Sequence, residues 1–344
     1  MRILFICAKW IERYTWRKIK GSISEKGADN KMYKEKDSRK KFGKMKQDLP
    51  LYILALPGVI ALLVFSYFPM TGIVLVFKDY NFKGGIFGSP WADPIYKNFI
   101  FFFNNISTAM RSTGLTIMYN LLFFIVGTFF AVAVAIMLSE ISGKLFIKFS
   151  QSLMFLPYFI SWMVMGAILY ALLNVDSGLL NQLLISFGKE PIDFYAQPKK
   201  WIAILTIVNT WQSCGYNSII YYGVLTGIDS SLFEAAKVDG ATKLQCIRKI
   251  TLPLLKPTII ILFLLSVGNM LKGNLNMVIG LTNLNPVLFP TTDLIDVFVY
   301  RSGVRNGEMA FASAIALYQS IFGFLLVIIA NKIAGRFDKE TTLF

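Results

Sequence analysis

Lys272 is the side chain in this sequence whose placement most needs a chemical reason. It stands in an apolar run, with Asn269 three positions before it and Asn276 four after. At about 100° per residue, Asn269, Lys272, Gly273 and Asn276 fall on one face of a helix, and Gly280 continues that face. Asn209, Gln212, Ser213 and Tyr216 write a second stripe of the same kind. Polar groups facing lipid are costly, so both stripes are expected to face protein or a watery cavity. Two uses compete for them. One is hydrogen bonding between helices, worth about 0.6–2 kcal/mol per bond; the other is contact with a solute. A buried ammonium costs about 2.5 kcal/mol or more at the centre of a bilayer unless something compensates it. For Lys272 the candidates are water, a carboxylate from elsewhere in the chain, another subunit, or a transported anion, with snorkelling toward the nearer surface as the competing explanation.

Other chemistry is excluded by what the chain lacks. It contains no His, which removes the commonest general base and transition-metal ligand. Cys7, Cys214 and Cys246 are too scattered for a metal site or a disulfide framework. No carboxylates cluster in the apolar runs, so a membrane-embedded enzyme is disfavoured. No G-x-x-x-x-G-K-[ST] loop exists to cradle a nucleotide phosphate. Any ATP that drives this protein is therefore bound by another subunit.

The elements that must position these stripes are membrane helices. An apolar content of 55% with 16% charged residues exceeds what a soluble chain of this length can hide. Runs of about 20 apolar residues predict six transmembrane helices, near 51–77, 115–138, 150–173, 202–226, 258–281 and 309–333. The fold class is all-α and polytopic. Pro50, Pro57 and Pro69 predict a kinked or broken first span. With both termini on one side, that side carries 25 Lys/Arg against 9 on the other, so both termini are assigned to the cytoplasm of a cell (plasma) membrane protein. Residues 1–48 are read as a basic cytoplasmic tail, 49–334 as the membrane domain and 335–344 as a second cytoplasmic tail. Residues 1–50 hold 15 Lys/Arg against 6 Asp/Glu; this charge suits anionic headgroups of membrane lipid, and without a folded basic domain it gives no support to a nucleic acid partner. The segment from Phe77 to Trp91 is a Gly/Pro-rich outer loop, which either connects spans or meets an arriving solute.

One cytoplasmic loop, 227–257, is polar and helix-prone. Ser231 and Glu234 are spaced as a capping box, predicting a short helix over about 232–239. Gly240 supplies the left-handed turn after it. Thr242 is placed to cap a second helix that Pro253 stops, giving a helix–turn–helix outside the membrane. Ala235 and Ala236 leave that face small enough for another protein to approach closely. Glu234 can pair with a basic residue of such a partner, and Asp239 can act similarly.

The spacing of Glu234, Ala235, Ala236, Gly240, Ile250, Leu252 and Pro253 resembles the signature loop of permease subunits in binding-protein-dependent ABC importers. Much of the chain from about residue 48 resembles the branch that handles complex oligosaccharides and polysaccharide fragments. Phe155-Leu-Pro-Tyr-Phe-Ile-Ser-Trp162, Trp211 to Tyr221 and Asp296-Val-Phe-Val-Tyr-Arg301 carry that likeness. The resemblance implies a type I ABC importer permease fold whose cytoplasmic coupling helix, centred on Glu234, Ala235, Ala236, Asp239 and Gly240, sits in a cleft of the ATPase. It implies a second homologous permease subunit, two ATP-binding subunits that hold ATP and Mg, an extracellular solute-binding protein and an oligosaccharide substrate. In that setting Asn209, Gln212, Ser213, Tyr216, Asn269, Lys272 and Asn276 are expected along the substrate pathway, with Lys272 favouring an acidic sugar such as a uronate. Permeases for peptides, amino acids or phosphate share the docking motif and stand as the alternative. A stand-alone secondary transporter leaves the docking loop unexplained, and the chain shows no internal repeat of the kind such transporters often carry.

Overall fold

The computed structural model describes residues 48–337, apart from Asn105 and Ser142. The readings made for residues 1–47 and 338–344 lie outside them. The described residues divide into two compact units, with the boundary between Thr71 and Gly72.

In the first unit, helix α1 (Leu49–Leu62) has Pro50 in its first turn, where a missing N–H is harmless, and Pro57 inside. A π turn follows at Leu63–Tyr67, and a 3₁₀ stretch, Phe68–Phe77, continues into the second unit. The widened turn lies just ahead of Pro69, whose ring would collide with the carbonyl four residues back in a regular helix. The expected irregularity is thus a change of hydrogen-bond pattern within a run, Leu49–Phe77, that remains long and apolar enough to cross a membrane.

The second unit is built on α2 (Ile106–Ser139), which runs beside α5 (Pro198–Thr226). Against them pack α4 (Trp162–Leu173) and α9 (Leu275–Thr282), burying Tyr119, Met165, Trp201, Leu205 and Met277 in one core. A second core joins Ala131 and Ala135 to Tyr221, Leu225 and Leu255, the last on α8 (Leu252–Val267). The final helix, α11 (Met309–Phe337), packs against α8 and α10 (Ile295–Tyr300).

Of the six expected spans, the third and the fifth differ from the helices found. The third is broken: α3 (Lys144–Phe155), with a short 3₁₀ extension through Pro157, meets α4 at 95°. The backbone stays helical through Leu156 and turns extended at Ile160 (ψ 123°) and Ser161 (ψ 150°), and Ser161 restarts the chain as the N-cap of α4. The fifth does not extend over 258–281; its helix ends at Val267, and residues 268–274 are non-helical before α9 begins. The fourth is present as the 29-residue α5, but Asn209, Thr210, Gln212 and Ser213 keep it out of the class apolar enough to span by composition. By length and composition four helices qualify among the described residues, or five if the bent pair is one span.

Three glycines let backbones touch. A Cβ on Gly166 of α4 would lie 1.8 Å from the carbonyl oxygen of Gly280 on α9, and one on Gly280 would lie 2.4 Å from that of Trp162. A Cβ on Gly215 of α5 would lie 1.9 Å from the Met154 carbonyl oxygen on α3.

The segment between α9 and α11 is fastened by a buried charge. Asp293, with no side-chain exposure, is 2.7 Å from Arg301 and 3.8 Å from Arg111 of α2. Arg301 also lies over the rings of Phe289 and Phe298. Removing one partner of such a group leaves an uncompensated buried charge, a loss of about 3–5 kcal/mol. Arg301→Met, which leaves Asp293 buried, is accordingly expected to lower the thermal midpoint of the detergent-solubilised protein by many degrees, whereas Lys97→Ala, which breaks an exposed pair with Asp79, is expected to change it little.

Candidate docking loop and solute path

Helix α6 (Ser230–Val238) begins two residues earlier than the Ser231–Glu234 spacing predicts. Asp229 is its N-cap, and its Oδ1 accepts from the Ser231 amide at 2.9 Å. That bond holds the Asp229 carboxyl below its ordinary range. The cap is therefore complete at neutral pH and is lost only as pH falls through this lowered value. The capping box between Ser231 and Glu234 is not formed, because a carboxylate two residues upstream already occupies the Ser231 N–H. Glu234 is thereby released from any capping task and is exposed, as are Ala235, Lys237 and Asp239, while Ala236 is half-buried. Asp239 is the C-cap, where an acidic side chain works against the helix dipole by about 0.3–1 kcal/mol. Stability of α6 does not explain it.

Gly240 has φ +75°. Its N–H donates to Lys237 O at 3.0 Å, and that of Ala241 to Ala236 O at 2.9 Å, which is the paired closure of a Schellman turn. No atom lies within 4 Å of a Cβ built there, so the demand for glycine is conformational. Gly240→Ala is expected to destabilise the turn by about 1–2 kcal/mol and Gly240→Asn by less, read as faster amide exchange over residues 236–245 with the rest of the protein unchanged.

Thr242 caps α7 (Lys243–Cys246) as the sequence predicts, and reciprocally: its Oγ1 accepts from Gln245 N, and Gln245 Oε1 accepts from Thr242 N at 2.7 Å. Pro253 does not stop this helix. A π turn at Ile247–Thr251 absorbs the proline, and α7 runs on through it into α8 as one element, Lys243–Val267. The isolated helix–turn–helix is thus corrected to a short helix, a glycine turn and the start of a membrane helix. Lys243 pairs with Glu140 beyond the end of α2 at 2.8 Å. Leu232, Leu244 and Val238, the last 88% exposed, leave the tip of the loop apolar and unpacked.

Along α5 the predicted stripe is present, but its members do different things. Gln212 is buried and donates to Ile160 O at 2.9 Å, satisfying a carbonyl freed by the break before α4. Ser213 donates to Asn209 O on its own helix. Asn209 reaches the Met277 sulfur on α9. Tyr216, partly exposed, stacks on Tyr158 with ring centroids 4.8 Å apart.

The second stripe is corrected. Asn269, Lys272 and Gly273 lie in the non-helical stretch and Asn276 in the first turn of α9, so they share no helical face. Asn269, Lys272 and Asn276 are nonetheless all exposed. The stretch is tied by residues the pattern of spans did not single out. Asn120 of α2 donates to Met270 O at 3.0 Å and to Lys272 O at 3.1 Å. Gln319 of α11 donates to Leu271 O and to the Asp296 carboxylate, which also accepts from the Gly273 N–H. Asn274 caps α9 through Met277 N. Among the compensations open to Lys272, the structure supplies a carboxylate: Asp296 lies within electrostatic reach. Gly268, Asn269, Gly273 and Asn274 are residues that favour turns, and that cluster is the signal by which the break could have been found.

A family model described as binding-protein-dependent transport system inner membrane component matches residues 127–339. The chain is 34% identical over 315 residues to the polygalacturonan/rhamnogalacturonan transport system permease protein YteP of Bacillus subtilis (strain 168), covering 91% of this chain and 96% of that protein. It is 30% identical to Protein LplB of the same organism, covering 86% and 92%. Among solved structures it is similar to a chain of a bacterial ABC transporter involved in the import of the acidic polysaccharide alginate, with a TM-score of 0.78, 28% identity and coverage of 87% and 99%. It is similar, with a TM-score of 0.76, 29% identity and coverage of 87% and 98%, to a chain of the bacterial alginate ABC transporter in complex with alginate pentasaccharide-bound periplasmic protein.

Proposed function

The chain belongs to the family of inner membrane components of binding-protein-dependent transport systems, and from that premise we propose that this multi-pass membrane protein is one permease subunit of an ATP-driven importer for acidic oligosaccharides or polysaccharide fragments. The exposed, small-faced loop from Ser230 to Gly240 is the observation that carries the drive. It leaves Glu234, Ala235 and Asp239 exposed at an apolar tip that no described residue covers. In this reading the loop faces the cytoplasm, as the Lys/Arg balance favours, with the tails 1–48 and 335–344 on the same side of a membrane domain over 49–334. It docks on one of two ATP-binding subunits, which hold ATP and Mg. A second homologous permease completes the translocation pathway, and an extracellular solute-binding protein delivers the cargo. Nucleotide binding closes the ATPase pair, the docking loops follow, and the bundle passes from inward- to outward-open as a rigid-body change between two states.

The acidic cargo is supported by the names of similar proteins, which handle polygalacturonan, rhamnogalacturonan and alginate, and by Lys272 exposed between Asn269 and Asn276. Asn209 and Tyr216 complete the proposed path, while Gln212 and Ser213 serve it by satisfying backbone carbonyls. Co-expression with the ATPase and binding protein of its own system, followed by uptake assays on uronate oligosaccharides, tests the reading; purification of an active chain without any ATPase would refute it. Within an active importer, Lys272→Met is expected to raise the half-saturating concentration for a uronate oligosaccharide about tenfold, the loss of one charge-assisted contact, and to leave a neutral oligosaccharide unaffected. Equal behaviour toward both solutes would remove Lys272 from the path.

A further inference from the structure

Three consecutive peptide groups in the break are each held by a side chain from outside it. The carbonyls of Met270 and Lys272 accept from Asn120, that of Leu271 accepts from Gln319, and the Gly273 N–H donates to Asp296. Gln319 joins the last two by donating to Asp296 as well. The three side chains come from three different elements, α2, α11 and α10. Asn120 is anchored to its own helix through Thr116 O at 2.9 Å, and one residue before Asp296 the Ile295 N–H donates to Thr116 Oγ1 at 2.9 Å. Gly273 is confined too, since a Cβ there would lie 2.9 Å from that of Leu294.

An irregular stretch between two apolar helices needs its backbone groups satisfied, but water or neighbouring backbone would suffice for that. Here amide and carboxylate side chains clamp the chain on both sides of one residue, and that residue is Lys272. Two carbonyls before it, its own carbonyl, and the amide after it are fixed. The geometry leaves the Lys272 side chain exposed while removing the freedom of its backbone.

We propose that Asn120, Gln319 and Asp296 are positioning residues for transport: they hold residues 268–274 in one non-helical conformation so that Lys272 and its neighbours Asn269 and Asn276 are presented to the solute. This rests on the reading of Lys272 as part of the path. Because Gln319 belongs to α11 and Asn120 to α2, the cage also makes the presentation of Lys272 depend on how those two helices stand relative to each other.

The test uses the whole importer with two near-isosteric variants, Gln319→Met and Asn120→Leu, each read in two ways. Amide exchange over residues 268–275 reports the cage itself. The half-saturating concentration for uptake of a galacturonate oligosaccharide, set against the maximal rate per assembled complex, reports positioning. Both variants are expected to speed exchange about tenfold or more and to raise half-saturation about fivefold or more, with a smaller change in maximal rate. Lys272→Met is expected to raise half-saturation without speeding exchange. Unchanged exchange overturns the cage, and faster exchange with unchanged half-saturation overturns the positioning role. If Lys272→Met is silent while the cage variants are not, the assignment of Lys272 falls and positioning acts through Asn269 and Asn276. If the parental importer takes up no galacturonate, the cargo reading falls and exchange still decides the cage. Should both variants fail to assemble, Gln319→Asn, which keeps a donor but is too short to serve both acceptors, is read by the same two measurements.

Discussion

Gly280→Val is expected to prevent the chain from accumulating as a folded protein. Any Cβ at this position lies 2.4 Å from the carbonyl oxygen and 2.6 Å from the carbonyl carbon of Trp162, and on the facing helix a Cβ at Gly166 would lie 1.8 Å from the Gly280 oxygen. These are backbone atoms, so no side-chain rotation relieves the overlap; α4 and α9 must separate. Separation opens the core that contains Met165, Leu169, Met277 and Leu281. Overpacking that side chains absorb costs about 1–3 kcal/mol; here the expected loss exceeds that and approaches the whole stability of a marginal fold. Size-exclusion profiles and thermal midpoints of the solubilised variants measure it. Gly114→Ala and Gly127→Ala on α2, where nothing lies within 4 Å of the added carbon, serve as controls and are expected to be neutral or to gain up to about 1 kcal/mol of helix propensity. A Gly280→Val protein with the parental midpoint would refute the described α4–α9 contact.

Ala235→Trp is expected to abolish uptake while leaving the chain folded. Ala235 is exposed on α6, and substitutions at such sites change stability by no more than about 0.5 kcal/mol. An indole on that face blocks close approach of a docked subunit. Loss of the fitted contact is expected to weaken co-purification of the ATPase about a hundredfold, equivalent to about 2.7 kcal/mol. Glu234→Lys, which reverses a charge with no partner within the loop, is expected to act in the same direction with smaller effect. The discriminating pair of measurements is the thermal midpoint, expected to be unchanged, and ATPase recovery on the tagged permease. Full recovery of ATPase with Ala235→Trp would remove α6 from the docking surface.

The conformation of the proposed docking loop was legible in the sequence because its determinants are local. Gly240 and the Thr242–Gln245 cap act within five residues of one another, and both stand where the spacing puts them. Two local readings failed: Asp229 takes the Ser231 amide that a capping box would give to Glu234, and a π turn absorbs Pro253. The breaks before α4 and after α8 were not legible in the same way. An average over apolar residues passes straight through Pro157 and through Gly268–Asn274, and a helical period fits Asn269, Lys272 and Asn276 whether or not a helix is there. The groups that make the second break tolerable, Asn120, Asp296 and Gln319, are far from it in sequence and look like isolated polar residues in apolar surroundings. Only packing brings them together. The backbone contacts at Gly166, Gly215 and Gly280 are hidden for the same reason.

The π turn at Ile247–Thr251 has a mechanical consequence. Had Pro253 ended the helix, the docking loop would hang from the membrane domain on a swivel, and motion at one end would be dissipated at the other. With the proline absorbed, Lys243–Val267 is a single strut of 25 residues, about 37 Å long at the usual rise. One end stands at the Thr242 cap and the other opens into the stretch that carries Lys272. A tilt of about 10° at the docking end swings the far end by about 6 Å, the length of a sugar ring. In the proposed cycle, the place where the helix gives way is the place where leverage is delivered.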